Sequence, residues 1–364
     1  MVEPPIGGSE LTLRSPVATV GTGVRVGRAV PLTPAPRTLG NAAYAIIFAP
    51  TTVPRFVRDI LGGDSPSPET RRVLPTRLVK LLTEDQRRPH TMVTVVFGAR
   101  GSVGRHVAAG LTASGVPVRL TSRTPDASHV AADLDMPETL PAVLEGASQV
   151  FLYAKPAGID EFVAAARSAG VRHVVLLSSG AIVQPGADRN PIARDHRVVE
   201  SALQESGLSW TFIRPGMFAT NTRWWWMRAI KEGQAVRLPY PEALTAPVSE
   251  RDIAALAVTA LTERGHGRQA YTLYGPQALT LREQVGHIGT AIGRPIPIEV
   301  VTPEQARADL GRTMPAMGVE AIMRAWTEGV DVVPETSVIV EKLTGRPAQT
   351  FAEWARDHAD DFRL

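Results

Sequence analysis

Three glycines in the segment VFGARGSVG have the spacing of a loop that binds phosphate. Gly98, Gly101 and Gly104 stand between an apolar, β-branched run and an amphipathic segment. A sharp turn from strand to helix brings bare backbone against a diphosphate, whose charge the helix N-terminus favours. Glycines also occur in plain turns, but this placement makes the pattern specific. We expect a dinucleotide to bind at Gly98, Arg100, Gly101, Ser102, Val103 and Gly104, with the glycines holding its diphosphate.

The residues after the second predicted strand indicate which dinucleotide binds. A site for NAD usually offers a carboxylate to the ribose 2′-hydroxyl, whereas a 2′-phosphate is bound by guanidinium groups. This strand ends in Ser122 and Arg123 without an acid, and Arg100 lies in the glycine loop. The pattern favours NADP(H) over NAD(H). The alternative is that Arg123 is only a solvated side chain at a strand end.

The ends of the other predicted strands extend the same site, because ligands of open α/β sheets bind at the carboxyl ends of the strands. Asp133 and Leu134 are expected to flank the adenine, although Asp133 also suits a turn or a helix cap. Ser178 and Ser179 end a central strand, with capping of the turn at Gly180 as their alternative role. The segments that we expect at the nicotinamide end are Ala154, Lys155 and Pro156, and Pro215, Gly216, Met217 and Phe218.

His196 is the candidate catalytic residue. It lies on the predicted helix ARDHRVVESALQESG, which precedes the strand LSWTFIRPG. An imidazole there is able to hydrogen-bond a ribose or to donate a proton. A single histidine on a helix is also compatible with a purely structural role. We therefore assign His196 both to cofactor binding and, as a hypothesis, to catalysis.

The elements that must position these residues alternate between strand and helix. Apolar runs such as VTVVFGA, QVFLYAK and VRHVVLLSS are separated by amphipathic segments such as GIDEFVAAARSAG. This alternation predicts parallel βαβ units in a doubly wound sheet, the Rossmann type of α/β fold. We expect the Rossmann core at about residues 92–216 and a small C-terminal α+β lobe, holding the substrate, at about 217–364.

Residues 1–91 have a different character. They are rich in proline and contain 12 Lys and Arg against 7 Asp and Glu, with few periodic patterns. The composition predicts an extension of low order, with short helices at VPRFVRDILGG and LPTRLVKLLTEDQRR. Met92 directly precedes the first strand, so the extension is either an upstream part of the reading frame that is not translated or a disordered basic tail.

Composition excludes several classes of function. The 364 residues contain no cysteine, which rules out disulfides, thiolate nucleophiles and cysteine-based metal sites. No histidines have metal-ligand spacing, so we predict no metal. No apolar run is long enough to span a bilayer, and no secretory signal is evident, so we expect a cytoplasmic protein without a membrane partner. The scattered arginines of the extension do not resemble a nucleic-acid-binding face, and no nucleic-acid partner is predicted.

The predicted lobe begins with the segment FATNTRWWWMRAIKEG. Successive helical residues are separated by 100°, so Trp224, Trp225 and Trp226 cannot share one buried face. They form either an aromatic wall for a flat substrate, in a cleft that Tyr240 would close, or packing under the C-terminal lobe or a subunit contact. In VSERDIAALAVTALTE we expect Ser249 to cap a helix. The end, PAQTFAEWARDHADDFRL, predicts a terminal amphipathic helix that packs Phe351, Trp354 and Phe362.

The ordered series VFGARGSVG, AGVRHVVLLSSGA, DHRVVESALQESGLSWTFIRPGMFATN, VSERDIAALAVTAL and YTLYGPQALTLREQVGHIGTAIGRPI resembles the NmrA-like family of atypical short-chain dehydrogenase/reductases. The resemblance covers about residues 92–364. It implies a Rossmann domain with a small lobe whose cleft holds a substrate. Members include NADPH-dependent quinone and isoflavone-type reductases, and regulators that bind NADP without turning it over.

The resemblance also shows a departure. The wider dehydrogenase class uses a Tyr-x-x-x-Lys pair for proton chemistry, and here Ile192 and His196 occupy those positions. We expect an NADPH-dependent oxidoreductase whose small-molecule acceptor is aromatic or quinone-like, because such acceptors take their proton from water. The alternative is a non-catalytic NADP(H)-sensing protein that regulates a protein partner. A sugar-nucleotide epimerase is less favoured, since that chemistry depends on the missing tyrosine.

Overall fold

The computed structural model describes residues 93–363. The N-terminal extension, with its two predicted helices, lies outside the described residues. No helix in the described part of the chain has the length and apolar character needed to cross a membrane.

A parallel sheet of seven strands forms the centre of the described region, in the order β3-β2-β1-β4-β5-β6-β9. Every neighbouring pair in this sheet runs parallel, as the alternation of strands and helices predicts. Its strands are β1 Val93–Val96, β2 Val118–Ser122, β3 Val130–Ala131, β4 Ala147–Tyr153, β5 His173–Leu177, β6 Ser209–Pro215 and β9 Gln269–Leu273.

Helices cover both faces of this sheet, which makes it doubly wound. One face carries the helices α2 Leu140–Leu144, α3 Ile159–Ser168 and α4 Pro191–Glu205. The other face carries α1 Gly104–Ala113 and α6 Glu250–Thr262. Alternate strand residues supply the two cores: Val150 and Leu152 face the first group of helices, and Phe151 faces the second. The predicted α/β Rossmann class is confirmed.

The chain after β6 builds a smaller lobe. Its short strands form two two-stranded sheets, and its helices pack around one apolar core that includes Trp226, Trp326 and Trp354. These elements are α5 Asn221–Lys231, β7 Val236–Leu238, β8 Leu244–Thr245, β10 Leu279–Thr280, α7 Leu281–Ile292, β11 Ile298–Val300, α8 Pro303–Leu310, α9 Ala316–Asp331, α11 Phe351–Asp357 and α12 Ala359–Phe362. The helix between α9 and α11, α10 Ile339–Thr344, packs on the Rossmann layer instead.

Besides α10, two elements from beyond residue 216 belong to the Rossmann sheet and its layers. β9 adds the seventh strand beside β6, and α6 packs on the same face as α1. The chain therefore leaves the sheet for α5, returns to it for α6 and β9, and then completes the lobe. At the end of the chain, the predicted packing of Phe351, Trp354 and Phe362 is confirmed, since all three side chains are buried.

A buried ion pair ties the C-terminal helices to the Rossmann layers. Glu250, the first residue of α6, is 0% exposed and accepts a hydrogen bond from Trp354 Nε1 at 2.9 Å. His358 Nε2 lies 2.9 Å from the Glu250 carboxylate, and His358 Nδ1 lies 3.0 Å from the Trp354 carbonyl oxygen. Because both partners are acceptors, both ring nitrogens must carry protons, and His358 is an imidazolium.

The pKa values agree with a charged pair. Burial lowers the pKa of His358, but the Glu250 carboxylate and the Trp354 carbonyl more than offset that effect, so the pKa is raised. Burial likewise raises the pKa of Glu250, and the contact with His358 and the backbone outweighs it, so the pKa is lowered. Ser249 caps α6 as predicted, accepting a hydrogen bond from the Arg251 N–H at 3.1 Å.

We expect His358→Phe to reduce the free energy of unfolding by about 3 kcal/mol, because the buried Glu250 carboxylate loses its 2.9 Å contact with the imidazolium and keeps only the Arg105 guanidinium, at 3.7 Å. The measurement is urea unfolding of the full chain. Asp360→Asn, which breaks the exposed 2.6 Å pair with Arg363, is the matched control and should cost less than about 1 kcal/mol. Equal effects of the two substitutions would contradict the assignment.

The same pair has a defined pH dependence. The His358 pKa is higher in the folded than in the unfolded state, so its contribution is fully present below the ordinary value of 6.5 and is lost as pH rises through the folded value. The stability difference between wild type and His358→Phe should therefore shrink on the alkaline side.

Candidate active site

The predicted site residues lie at one edge of the Rossmann sheet. Because the strands are parallel, their carboxyl ends meet at the same edge. The glycine bend, which we define as residues 98–104, follows β1, and the other predicted segments follow β2, β3, β4, β5 and β6. The sheet thus brings together segments that are up to about a hundred residues apart in the chain.

The glycine bend is tightly packed against itself. Gly98 has a φ of +61°, and its carbonyl oxygen accepts a hydrogen bond from the Gly101 N–H at 2.8 Å. A methyl group added to Gly104 would lie 2.3 Å from the Gly98 carbonyl oxygen, which no side chain tolerates. Helix α1 begins at Gly104, so this contact fixes the helix N-terminus directly against the end of β1.

The bend fits a diphosphate. Among residues 93–363 the backbone N–H of Ser102, just before α1, has no hydrogen-bond acceptor. Unpaired N–H groups at a helix N-terminus are the donors that bind a phosphate. The space beside Gly98 and Gly101 is partly taken by the ring of Tyr153, a residue that the sequence analysis missed. Its position at the end of a strand carried no signal of a contact with the bend.

The adenosine end contains one acid that the sequence analysis overlooked. The Arg100 guanidinium pairs with Asp126, which also accepts hydrogen bonds from the backbone N–H groups of Ser128 and His129. The His129 side chain and these N–H groups, with Arg100, hold the pKa of Asp126 well below its usual range. Arg123 is exposed. Any 2′-phosphate that approached Arg100 would therefore also approach the negative charge of Asp126.

Asp133 has the turn role that was left open. Its side chain accepts a hydrogen bond from the Asp135 N–H at 3.1 Å and lies 3.2 Å from Lys155 Nζ, which also pairs with Asp135. The Asp135 N–H and the Lys155 ammonium lower its pKa. Leu134 packs in the core beneath α3. The contact of Asp133 and Leu134 with adenine stays a prediction.

At the nicotinamide end, Ser178 is part of a buried polar network. Its hydroxyl donates to Glu200 at 2.6 Å, and Arg214 holds the same carboxylate with two hydrogen bonds of 2.9 and 2.5 Å. Ser178 and Glu200 are both buried. Ser179 instead caps the following turn and accepts a hydrogen bond from the Ala181 N–H at 3.2 Å, which is its alternative predicted role.

His196 lies beside this network on α4. The helix begins with Pro191, and Asn190 caps it by accepting the Ile192 N–H at 3.0 Å, which places Ile192 and His196 one turn apart. His196 Nδ1 lies 3.5 Å from the Ser178 hydroxyl oxygen. The Ser178 proton is already committed to Glu200, so the neutral imidazole fits best with its proton on Nδ1 and a lone pair on Nε2.

Burial lowers the pKa of His196, and the carboxylates of Glu200 and Asp195 only partly oppose that effect. The imidazole is therefore neutral at pH 7. A neutral imidazole accepts or donates a hydrogen bond but is not a strong proton donor, unlike the ammonium that a lysine would supply.

The segment after β6 lies against two other elements. A methyl group added to Gly216 would lie 2.6 Å from the Tyr274 ring, and the Met217 carbonyl oxygen accepts the Val248 N–H at 2.8 Å. Phe218 forms a bridge with Val248. Pro215 ends β6, and Ala154 is linked to β5 through a hydrogen bond from its N–H to the Leu177 carbonyl. Pro156 is exposed.

The three tryptophans separate as helical geometry predicts. Trp226 is 2% exposed, whereas Trp224 is 69% exposed. Trp225 is half-buried and packs edge-on against Trp226 and against Trp326 of α9. Tyr240 packs on the same lobe core. Packing beneath the lobe therefore accounts for Trp226, whereas Trp224 faces solvent and Trp225 combines packing on the lobe with a partly accessible ring.

The described part of the chain contains no group of three His, Cys, Asp or Glu side chains that is able to hold a metal ion. The His266 side chain contacts the Tyr271 hydroxyl through Nδ1 at 2.8 Å.

Comparisons with known proteins show the family to which this chain belongs. A family model described as NAD(P)H-binding matches residues 98–264. The chain is 38% identical over 281 residues to (4-alkanoyl-5-oxo-2,5-dihydrofuran-3-yl)methyl phosphate reductase of Streptomyces griseus, covering 74% of this chain and 98% of that protein. It is 35% identical over 291 residues to NAD(P)H azoreductase of Xenophilus azovorans, with coverage of 74% and 98%.

A solved structure shows the same fold. The NADPH-dependent quinone oxidoreductase QOR2 of Escherichia coli, in complex with NADPH, superposes with a TM-score of 0.62 at 23% identity, covering 73% of this chain and 99% of that chain. The glycine bend, the doubly wound sheet and these relatives lead to one conclusion. The chain belongs to the NAD(P)H-binding, NmrA-like family of atypical short-chain dehydrogenase/reductases, among the NAD(P)H-dependent reductases.

Proposed function

We propose that this protein is an NADPH-dependent reductase that transfers hydride to a small, conjugated and electron-poor acceptor, such as a quinone-like or unsaturated carbonyl compound. The observation that carries the proposal is the combination of an intact glycine bend with the absence of a tyrosine where Ile192 stands. The site keeps what binds the cofactor and lacks the phenol that protonates a simple carbonyl.

The chemistry of the acceptor follows from this combination. A bound nicotinamide supplies the hydride, and the protein mainly positions the acceptor beside it. A conjugated acceptor spreads the charge that the hydride brings, so its proton is able to come from water. The names of the relatives refer to an azo compound, a quinone and an unsaturated oxo-dihydrofuran, all of which are conjugated acceptors. Their shared chemistry supports the same class here.

We assign the cofactor to the residues predicted from the sequence. The bend and the N-terminus of α1 hold the diphosphate, and Arg123 and Arg100 bind the 2′-phosphate. Ser178, His196 and the segment Pro215–Phe218 hold the nicotinamide half. On the substrate side, the half-buried Trp225, Met217 and Tyr240 pack on the lobe core and offer an apolar wall to a flat molecule.

Turnover with a panel of acceptors tests the function. With NADPH we expect steady oxidation by quinones, an azo dye and an unsaturated lactone, and little or none by saturated ketones, because only the conjugated compounds take hydride without a protein acid. The measurement is the loss of NADPH absorbance with purified full-length protein.

Tight NADPH binding without turnover of any acceptor would refute the reductase proposal. It would favour the alternative, an NADP(H)-sensing regulator. That alternative predicts unequal affinities for NADP+ and NADPH, together with a protein partner whose binding follows the redox state of the nucleotide.

The preference for NADPH has its own test. Arg123→Ala should weaken NADPH relative to NADH by about tenfold to a hundredfold, the effect of losing one charge-assisted contact. Asp126→Asn should act in the opposite direction, by about threefold, because it removes a negative charge that lies near the bound 2′-phosphate. The measurement is the ratio of the dissociation constants for NADH and NADPH, in wild type and in each variant.

Asp188→Asn is the matched control for Asp126→Asn, because Asp188 forms an exposed pair with Arg197 of α4, at 2.8 Å. It should leave the ratio unchanged. If neither Arg123→Ala nor Asp126→Asn changes the ratio, the assignment of the 2′-phosphate to this end is wrong.

His196→Ala should lower kcat by about tenfold to a hundredfold, with a smaller effect on NADPH affinity, if the imidazole orients the nicotinamide ribose or moves a proton. Because the pKa of His196 is lowered from 6.5, the imidazole stays neutral at higher pH. The pH profile of kcat should therefore be flat from about pH 7 upward and change only on the acid side. An inflection above pH 7 that disappears in His196→Ala would contradict a neutral imidazole.

A further inference from the structure

Tyr153, the last residue of β4, lies directly beneath the glycine bend. A methyl group added to Gly98 would lie 2.8 Å from the Tyr153 ring carbon Cε2, and one added to Gly101 would lie 2.9 Å from the phenol oxygen. The ring also packs edge-on against Phe151, with 5.5 Å between the ring centroids. The strand and the two glycines thus fix the phenol in one position.

The phenol oxygen is connected to the helix that begins at the bend. It accepts a hydrogen bond from the Gly104 N–H at 3.0 Å. Gly104 opens α1, so this N–H is one of the donors that have no acceptor within the helix. A phenol oxygen accepts hydrogen bonds and also donates one. Within residues 93–363 the Tyr153 hydroxyl has no acceptor for its own proton.

The hydroxyl keeps that proton at neutral pH. Burial raises the pKa of Tyr153, and the N–H groups of Gly104 and Val103 offset the effect only in part. The bend therefore presents an O–H donor next to Gly101 and Gly104, in addition to the unpaired N–H of Ser102. An O–H donor suits an anionic phosphate oxygen, which forms stronger hydrogen bonds than a neutral acceptor does.

We propose that Tyr153 is a cofactor-binding residue whose hydroxyl, anchored by the Gly104 N–H, donates a hydrogen bond to the diphosphate of the dinucleotide. The assignment rests on the cofactor part of the proposed function. The phenol takes the place that a bridging water has in other binding sites, without the entropic cost of immobilising that water. Its fixed ring makes the donor preorganised, which favours binding.

Tyr153→Phe separates this role from packing, because it removes the hydroxyl and keeps the ring beneath Gly98 and Gly101. We expect it to weaken NADPH and NADH by the same factor, about tenfold to a hundredfold, as for the loss of a hydrogen bond to a charged group. The measurement is calorimetric titration of the full-length protein. Adenosine 2′-phosphate, which has no diphosphate, should bind wild type and variant equally.

Tyr271→Phe is the matched control. Its hydroxyl contacts His266 Nδ1 at 2.8 Å and no residue of the bend, so its loss should leave the affinity for both dinucleotides unchanged. This control reports the general effect of removing a partly buried phenol hydroxyl from the same sheet.

Two results would overturn the assignment. One is equal dinucleotide affinity in wild type and Tyr153→Phe. The other is an equal loss of affinity for adenosine 2′-phosphate and for NADPH, which would show that the hydroxyl only holds the bend together. A wild-type protein that binds neither dinucleotide would refute the proposed function itself, and the Tyr153 assignment with it.

Discussion

The contact between Gly104 and the Gly98 carbonyl is the constraint on which the site depends. It lets α1 begin directly against the end of β1, at a distance that any side chain at residue 104 would prevent. The helix N-terminus is thereby fixed at the carboxyl edge of the sheet, where the other strands deliver their loops. This one approach of backbone to backbone fixes where the predicted diphosphate position lies relative to the loops that follow the other strands.

The electrostatics along this edge divide into two parts. At the predicted adenosine end, two cations lie beside carboxylates that partly neutralise them: Arg100 beside Asp126, and Lys155 beside Asp133. The pairing with Asp133 draws Lys155 away from the nicotinamide end, where the sequence analysis expected it. At the nicotinamide end, Glu200 is bound by Arg214 and Ser178, and His196 is neutral. The second half of the site thus has no strong acid. The proposed acceptor class follows from this, because a conjugated acceptor needs positioning more than protonation.

The fold was largely predictable from the sequence, because each strand and helix of the Rossmann core carries its own pattern. Apolar runs that alternate with amphipathic segments are recognised without knowing which other elements they contact in the fold. The glycine bend was predictable for the same reason, since Gly98, Gly101 and Gly104 are close in the chain. The return of β9 to the sheet was not predictable from the sequence. The edge strand Gln269–Leu273 is short and mostly not buried, and its neighbour β6 is distant in sequence.

What the sequence did not reveal are contacts between side chains that are far apart in the chain. Glu250 had the acidic character of an ordinary helix N-terminus, and only the structure shows it buried against His358 and Trp354. Tyr153 had the character of a strand residue, and its contact with the bend depends on which face of β4 it occupies. Asp126 was missed because its pairing with Arg100 joins two loops that no local pattern relates.

The central claim is hydride transfer from a nucleotide bound at this edge to a conjugated acceptor. The most direct measurement uses NADPH carrying deuterium on the transferable position of the nicotinamide, with an unsaturated lactone as acceptor and mass spectrometry of the product. We predict a reduced lactone with one deuterium bound to carbon, formed in step with the oxidised nucleotide. Labelled NADPH that binds but yields no deuterated product from any conjugated acceptor would contradict the account.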